Sequence, residues 1–194
     1  NDLGQISFLK ICDALSEELF ESILTGAEET YEQVLKGFFP LPERIAFLKR
    51  LYEKLSDQAW GLADLISREV SKPITLAKAE VERSLLTLKY TIEECEAVLA
   101  EENLSYEREK IWAHFKVKIR RQARGPLLAI TPFNFPLNLI IHKLAPAIAA
   151  GCPVLLKASP KALMTALSVV DMCHASDLPA GMLCFVPCDN DTTL

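Results

Sequence analysis

The residues best suited to chemistry lie in one stretch, between positions 125 and 160. Asn134 offers a carboxamide N–H that is uncharged at any pH, and Lys157 offers a cation. A carboxamide near a carbonyl under attack can stabilise the oxyanion of a tetrahedral intermediate, and one such donor is worth about 2.7–4 kcal/mol. The alternative for Asn134 is a helix N-cap worth about 1 kcal/mol, which spacing alone favours. The alternative for Lys157 is a lysine that extends from a strand end into solvent.

Two predicted strands and the helix between them must position these groups. Leu127 to Ile130 is a short apolar run that predicts a buried strand, and Pro153 to Lys157 predicts a second. Asn134-Phe135-Pro136 predicts the start of a helix, because Asn favours the N-cap and Pro fits the first turn. Gly151 stands where a glycine commonly ends a helix. The predicted order is therefore strand, helix, strand.

Two further elements extend this pattern into a parallel sheet. Positions 164–175 predict a helix and positions 182–186 a third strand, with short connections throughout. This order predicts right-handed crossovers and ligand binding at the carboxyl ends of the strands. Thr131 to Asn134 and Lys157 to Ser159 follow those ends, and an amide beside a cation suits an anionic cofactor. The usual dinucleotide fingerprint, GxGxxG, does not follow the first strand.

Several unusual strings of residues occur in the chain in a fixed order. They are Leu41-Pro42-Glu43-Arg44, Lys72-Pro73, Pro132-Phe133-Asn134-Phe135-Pro136-Leu137, Lys143, Pro146-Ala147-Ile148-Ala149-Ala150-Gly151, Val154-Leu155-Leu156-Lys157 and Leu178-Pro179-Ala180-Gly181. Together they closely resemble the aldehyde dehydrogenase superfamily over roughly residues 27 to 188. The resemblance implies an α/β fold in which N-terminal helices precede half of a Rossmann-like parallel sheet, β-α-β-α-β.

The resemblance assigns a role to each candidate. It implies that Asn134 is the oxyanion-hole side chain, which reverses the preference for a plain N-cap. It implies that Lys157 binds the adenosine ribose of NAD or NADP. Lys143 matches a lysine near the active site, although a structural ion pair would explain it equally well. The cofactor-binding set comprises Thr131, Pro132, Phe133, Asn134, Lys157, Ser159 and Pro160, the first three acting mainly through backbone along the nicotinamide ribose.

One position departs from the family pattern. Many relatives read Lys-Pro-Ser-Glu where this chain reads Lys157-Ala158-Ser159-Pro160, followed by Lys161. The missing acid would accept a hydrogen bond from a ribose hydroxyl and repel a 2′-phosphate. Its loss leaves room for NADP or weakens the binding of either cofactor. We therefore expect NADP to be at least tolerated.

The family's chemistry needs two further groups. The resemblance implies oxidation of an aldehyde to a carboxylate, or to an acyl-CoA, through a cysteine thioester that a glutamate base helps to hydrolyse. None of the six cysteines stands in the context expected of that nucleophile. We interpret the chain as the N-terminal portion of such an enzyme, inactive alone. The alternative is a non-catalytic nucleotide-binding or assembly module of naturally short length.

Composition excludes several other classes. The 194 residues are 50% hydrophobic and carry a formal net charge of −5, which disfavours a general nucleic-acid or anionic-membrane binder. No apolar run reaches the roughly 20 residues that span a bilayer, and the N-terminus lacks the pattern of a secretory signal. Scattered cysteines favour reduced thiols in the cytoplasm. We expect no metal site, and we interpret His114, His142 and His174 as structural.

The predicted organisation has three segments. Residues 1–110 form a helical region with helices over 5–38, from Pro42 onward, over 59–70 and from 74 onward, followed by a polar connection at 101–110. Residues 111–124 form a basic strand with alternating residues at 115–120, and the resemblance implies that it belongs to an oligomerisation element. Residues 125–194 form the first half of the nucleotide-binding sheet. The expected partners are a small aldehyde and further copies of the chain.

Overall fold

The computed structural model describes residues 17–99, 102–104 and 117–186. In chain order its elements are α1 (Glu17–Leu35), α2 (Leu41–Asp57), α3 (Ala59–Val70), α4 (Ile74–Leu99), β1 (Glu102–Leu104), β2 (Val117–Ile119), β3 (Leu127–Thr131), α5 (Pro136–Ala150), β4 (Val154–Ala158), a 3-10 turn (Pro160–Ala162), α6 (Leu163–His174) and β5 (Leu183–Phe185). The predicted α/β fold, with helices before a small parallel sheet, is confirmed.

The main sheet consists of β3, β4 and β5 in that order, and both pairings are parallel. Thr131 pairs with Ala158, so β3 and β4 end side by side at the same edge. The backbone that follows each strand therefore starts from neighbouring points. This register places the two predicted site segments next to each other.

The amphipathic pattern from Pro42 onward is confirmed in α2. Pro42 lies in its first turn, and the helix buries Ile45, Leu48 and Leu55. Helix α4 has 26 residues and, at 1.5 Å per residue, is about 39 Å long. Its length lets it pack along both α2 and α5, so it is the central support of the helical layer.

One hydrophobic cluster joins the helices to one face of the sheet. It includes Leu48 of α2, Leu88 of α4, Ile141 of α5 and Leu156 of β4. Because these residues share a single core, the helical region and the sheet stabilise each other. The division of the chain into three segments remains a prediction.

The opposite face of the sheet is covered only in part by the described residues. Helix α1 packs Ala27 against Leu155 and Val186. On β3, Leu128 and Ile130 are 47% and 46% exposed. Leu127 is also exposed, at 38%, so the prediction that β3 is a buried strand is wrong for three of its side chains.

Three boundaries differ from the sequence expectations. Helix α1 spans Glu17–Leu35, with Leu19 exposed on the face predicted to be apolar, and residues 5–16 lie outside the described residues. The connection predicted at 101–110 contains β1, which pairs antiparallel with β2. Ile119 of β2 is also exposed, which differs from the half-buried face that the alternation predicted. Residues 105–116 lie outside the described residues.

Candidate functional site

The segment that carries Asn134 links the end of β3 to the start of α5. Thr131 is buried, whereas Pro132, Phe133 and Asn134 are exposed. Phe135 occupies the N-cap position of α5, and its side chain makes no capping hydrogen bond. The prediction that Asn134 is the N-cap is wrong. Its carboxamide faces outward, and none of the described residues is hydrogen-bonded to it.

A carboxylate from another helix caps α5 instead. The Glu80 side chain lies on α4 and is fully buried. Its Oε1 accepts hydrogen bonds from the backbone N–H of Leu137 at 2.9 Å and of Asn138 at 3.1 Å. A negative charge at a helix N-terminus is favourable because the unpaired N–H groups carry partial positive charge. Glu80 therefore caps the N-terminus of α5, the role that the helix pattern had suggested for Asn134.

Lys72 connects Glu80 to the Asn134 segment. Its ammonium pairs with Glu80 Oε2 and donates a hydrogen bond to the backbone oxygen of Asn134 at 2.6 Å. The same nitrogen lies 4.3 Å from the centre of the Phe135 ring, a distance at which a cation and an aromatic face attract each other. The backbone is thus held at Asn134 and again at Leu137 and Asn138.

The segment after β4 lies against the segment after β3. Lys161 Nζ lies 4.9 Å from the centre of the Phe133 ring, so the two segments meet at the strand ends. Ser159 Oγ accepts a hydrogen bond from the Lys161 backbone N–H at 3.3 Å, and Pro160 begins the 3-10 turn in an exposed position. This contact brings the predicted site residues of both segments together.

Lys157 differs from the expectation of a charge at the solvent-exposed rim. The residue is only 2% exposed. Its register partner on β3 is Ile130, so its side chain lies on the same face of the sheet as Leu155, the face that α1 partly covers. Lys157 is the penultimate residue of β4, and all five residues of that strand are buried.

The N-terminus of α6 is also capped by a carboxylate. Glu69 of α3 accepts hydrogen bonds from the backbone N–H groups of Met164 and Thr165 and from the Thr165 hydroxyl. The helices after β3 and β4 would ordinarily offer these N–H groups to a phosphate. Glu69 and Glu80 occupy them, so an anion would have to bind through other groups at this edge.

The remaining candidates lie away from this junction. Lys143 is exposed on α5, and His142 Nε2 lies 3.1 Å from the hydroxyl of Thr87 on α4. His174 is exposed at the end of α6, and His114 lies outside the described residues. Within the ranges that the structure describes, no group of three His, Cys, Asp or Glu side chains could hold a metal ion.

The described cysteines are poorly placed for nucleophilic chemistry. Cys95, Cys152 and Cys173 are buried, and Cys184 is partly buried. Burial raises the pKa of the Cys173 thiol far above its usual range, and burial also raises the pKa of Cys184. The reactive form of a cysteine is the thiolate, which a raised pKa disfavours. Cys12 and Cys188 lie outside the described residues.

Sequence reasoning missed Glu69, Lys72 and Glu80 as supports of this edge. For Glu80 a signal was available, because it lies three residues after Ala77 and eight before Leu88, which are both buried on α4. A carboxylate on the buried side of a helix requires a partner. For Glu69 and Lys72 the sequence offers no comparable signal, since each reaches a partner that is distant along the chain.

Comparison with known proteins gives consistent results. The family model described as aldehyde dehydrogenase family matches residues 8–194. The chain is 32% identical over 144 residues to a glutarate-semialdehyde dehydrogenase of Pseudomonas putida, covering 74% of this chain and 29% of that protein. It is 35% identical to a lactaldehyde dehydrogenase of Methanococcus maripaludis, covering 87% of this chain and 35% of that protein.

Solved structures agree with the sequence matches. The glyceraldehyde-3-phosphate dehydrogenase GapN of Methanocaldococcus jannaschii, complexed with NADP, superposes with a TM-score of 0.79 at 30% identity. The match covers 89% of this chain and 37% of that one. The chain thus spans about a third of the length of the proteins that it matches.

Proposed function

Because the chain belongs to the aldehyde dehydrogenase family, we propose that it supplies one wall of an NAD(P)-dependent aldehyde dehydrogenase site. In the reaction, an aldehyde is oxidised to a carboxylate through a cysteine thioester, with hydride passing to the cofactor. The chain's contribution is the Asn134 carboxamide, which stabilises the oxyanion, and the nucleotide-facing segments after β3 and β4. The nucleophile is none of the cysteines that the structure describes.

The observation that carries this proposal is the junction of the two segments after the parallel strands. Asn134 is exposed there beside Phe133, and Lys161 reaches across to the Phe133 ring. An outward carboxamide without a hydrogen bond from the described residues suits an acceptor that develops negative charge during the reaction. The cation of Lys161 adds a charge that favours an anionic cofactor.

Two features determine how a dinucleotide would bind. Since Glu69 and Glu80 occupy the helix N-termini, α5 and α6 do not supply the N–H groups that bind a pyrophosphate in the usual Rossmann arrangement. We assign to this chain the ribose side of the cofactor, through Ser159 and Lys157. Because Lys157 is only 2% exposed, its ammonium must leave its buried position to reach the ribose. Thr131, Pro132 and Phe133 contribute backbone on the nicotinamide side.

We also propose that NADP is accepted at the adenosine ribose. Pro160 occupies the place of an acid that would repel a 2′-phosphate, and the Lys161 cation lies beside it. The NADP-bound relative from Methanocaldococcus jannaschii supports this assignment. The proposal also includes a location and an assembly state. A reducing, cytoplasmic location is consistent with the four described cysteines, which are all free thiols. The chain is also proposed to assemble with further copies of itself.

Calorimetric titration of the 194-residue chain with NAD and NADP tests the proposed function. We expect NADP to bind, and we expect Pro160→Glu to weaken NADP about tenfold relative to NAD, which corresponds to about 1.4 kcal/mol. Lys54→Glu is the matched control, because it changes a partly exposed charge on α2 and should leave the NADP to NAD ratio unchanged. Binding of NAD alone would reject the NADP assignment, and binding of neither would reject the cofactor site.

A turnover assay tests the catalytic part separately. The purified chain with aldehyde and NAD(P) should form no NAD(P)H, because the described cysteines are buried or have a raised pKa. Reduced cofactor that forms at a rate proportional to the chain's concentration would contradict this assignment.

A further inference from the structure

We propose that Lys72 and Glu80 are positioning residues that fix the direction of the Asn134 carboxamide. This inference rests on the proposed function for its catalytic meaning. It assigns roles to two side chains on the helical layer, outside the strand ends, and it predicts that they act on Asn134 through the backbone.

The backbone from Asn134 to Asn138 is constrained at several points. Lys72 holds the backbone oxygen of Asn134, and Glu80 holds the N–H groups of Leu137 and Asn138. Only Phe135 and Pro136 lie between these anchors. The Pro136 ring fixes its own φ, and the Phe135 ring lies against the Lys72 ammonium.

The pair of Lys72 and Glu80 is largely buried. The side chains of Lys72 and Glu80 are 12% and 0% exposed, so water competes little for the bond between them, whereas the bond from Lys72 to the Asn134 carbonyl lies at the surface. An ammonium has three donors, and Lys72 directs one to the Glu80 carboxylate and one to the Asn134 carbonyl. A charged pair enclosed in this way holds its geometry more firmly than a solvated surface pair, which is commonly mobile and weak.

The Asn134 carboxamide contrasts with the Asn134 backbone in how it is held. None of the described residues is hydrogen-bonded to the Asn134 side chain, yet its own carbonyl and the backbone that follows it are anchored. A donor of this kind costs little reorganisation when negative charge develops on its ligand, because its position is already set. Lys72 and Glu80 thus act on the reaction through Asn134 and do not touch the substrate.

Nuclear magnetic resonance of the 15N-labelled 194-residue chain, without cofactor, tests this inference. In the wild type we expect a backbone order parameter at Asn134 near the rigid value of about 0.85. In Lys72→Met it should fall below about 0.6, while the N–H groups of Leu137 and Asn138 stay protected from exchange by Glu80. Lys72→Arg retains a charged donor and should restore most of the order at Asn134.

The matched control is Lys78→Met. Lys78 Nζ also lies 4.3 Å from an aromatic ring, but that ring is Trp60 of α3 and not a residue of the Asn134 segment. The control should leave the order parameter of Asn134 unchanged. A folded Lys72→Met chain with a rigid Asn134 would overturn the inference, as would loosening of Asn134 in the control or in Lys72→Arg.

A second variant keeps the test decisive if Lys72→Met does not fold. Glu80→Gln retains an oxygen for the two N–H groups but removes the charge that holds Lys72, so Asn134 should loosen while α5 stays capped. An unchanged Asn134 would overturn the inference. Because no cofactor is present, a loss of order would stand even if the calorimetric titration failed, and the two proposals can fail independently.

Discussion

At the residue scale, the chemistry depends on where each polar group finds its partner. Asn134 presents an exposed carboxamide, whereas Lys157 is enclosed and Glu80 is fully buried. The sequence correctly indicated which segment carries the candidate donors, because Asn, Pro and Gly have strong local preferences at helix ends. It could not indicate that Glu80 would cap α5, since that carboxylate lies 57 residues away from Leu137 along the chain.

The described cysteines give a prediction about pH at the same scale. Burial raises the pKa of the Cys173 thiol in the folded chain, whereas an unfolded thiol titrates near pH 8.5. The native state therefore keeps its proton after the unfolded state has lost it. The stability associated with Cys173 is fully present below about pH 8.5 and falls above it, by about 1.4 kcal/mol per pH unit.

Denaturant unfolding of the wild type and Cys173→Ala between pH 7 and 10 measures this effect. We expect the free energy of unfolding to fall more steeply with pH in the wild type above about pH 8.5. The comparison uses the slopes, because Cys173→Ala also changes packing. Equal slopes in the two proteins would contradict the assignment of Cys173 as a buried, protonated thiol.

At the element scale, both ends of α5 are fixed by side chains from the helical layer. Glu80 caps its N-terminus, and Arg44 Nη1 donates a hydrogen bond to the Ala149 oxygen at its C-terminus at 2.9 Å. Burial lowers the pKa of Arg44, and a cation at a helix C-terminus is favourable. Helix α5 is therefore held between an anion and a cation that match the direction of its dipole.

Gly151 shows how closely Arg44 approaches this helix end. Its φ is +88°, and a Cβ placed there would lie 2.4 Å from Arg44 Nη1. Gly151→Ala should lower the free energy of unfolding by at least about 1–2 kcal/mol, because a left-handed residue with a Cβ is strained and Arg44 would be displaced. Denaturant unfolding at neutral pH measures the change.

Gly61 provides the matched control for this variant. It lies inside α3, and a Cβ placed there meets nothing within 4 Å. Gly61→Ala should raise the free energy of unfolding by about 0.5–1 kcal/mol, because alanine loses less conformational freedom in a helix than glycine does. A Gly151→Ala protein as stable as the wild type would show that Arg44 does not need this space.

At the scale of the whole molecule, the helical layer and the sheet share one core. Together they support the edge of the sheet at which β3 and β4 end. The alternation of strands and helices followed from short apolar runs between Gly, Pro and Asn, which are local signals. Exposure did not follow from the sequence, because Leu127, Leu128 and Ile130 look like core residues and yet are exposed. Burial depends on which element lies above a strand, and a single strand's pattern does not contain that information.

No helix among the described ranges is both long enough and apolar enough to cross a membrane. A groove on the described surface lies away from the strand ends, between α2 and α4. It has a volume of about 610 Å³ and is lined in part by Ile45, Tyr52 and Ile92. Neither Asn134 nor Lys157 lines it, so it offers a distinct alternative location for a bound ligand.

Mapping NADP onto the labelled chain by nuclear magnetic resonance tests the central claim most directly. We predict that NADP shifts the backbone signals of 131–135 and 157–161 together, with one dissociation constant, because the two segments meet at the ends of β3 and β4. The signals of Tyr52 and Ile92 should not move. Shifts confined to the groove between α2 and α4, or no shifts at saturating NADP, would contradict the claim.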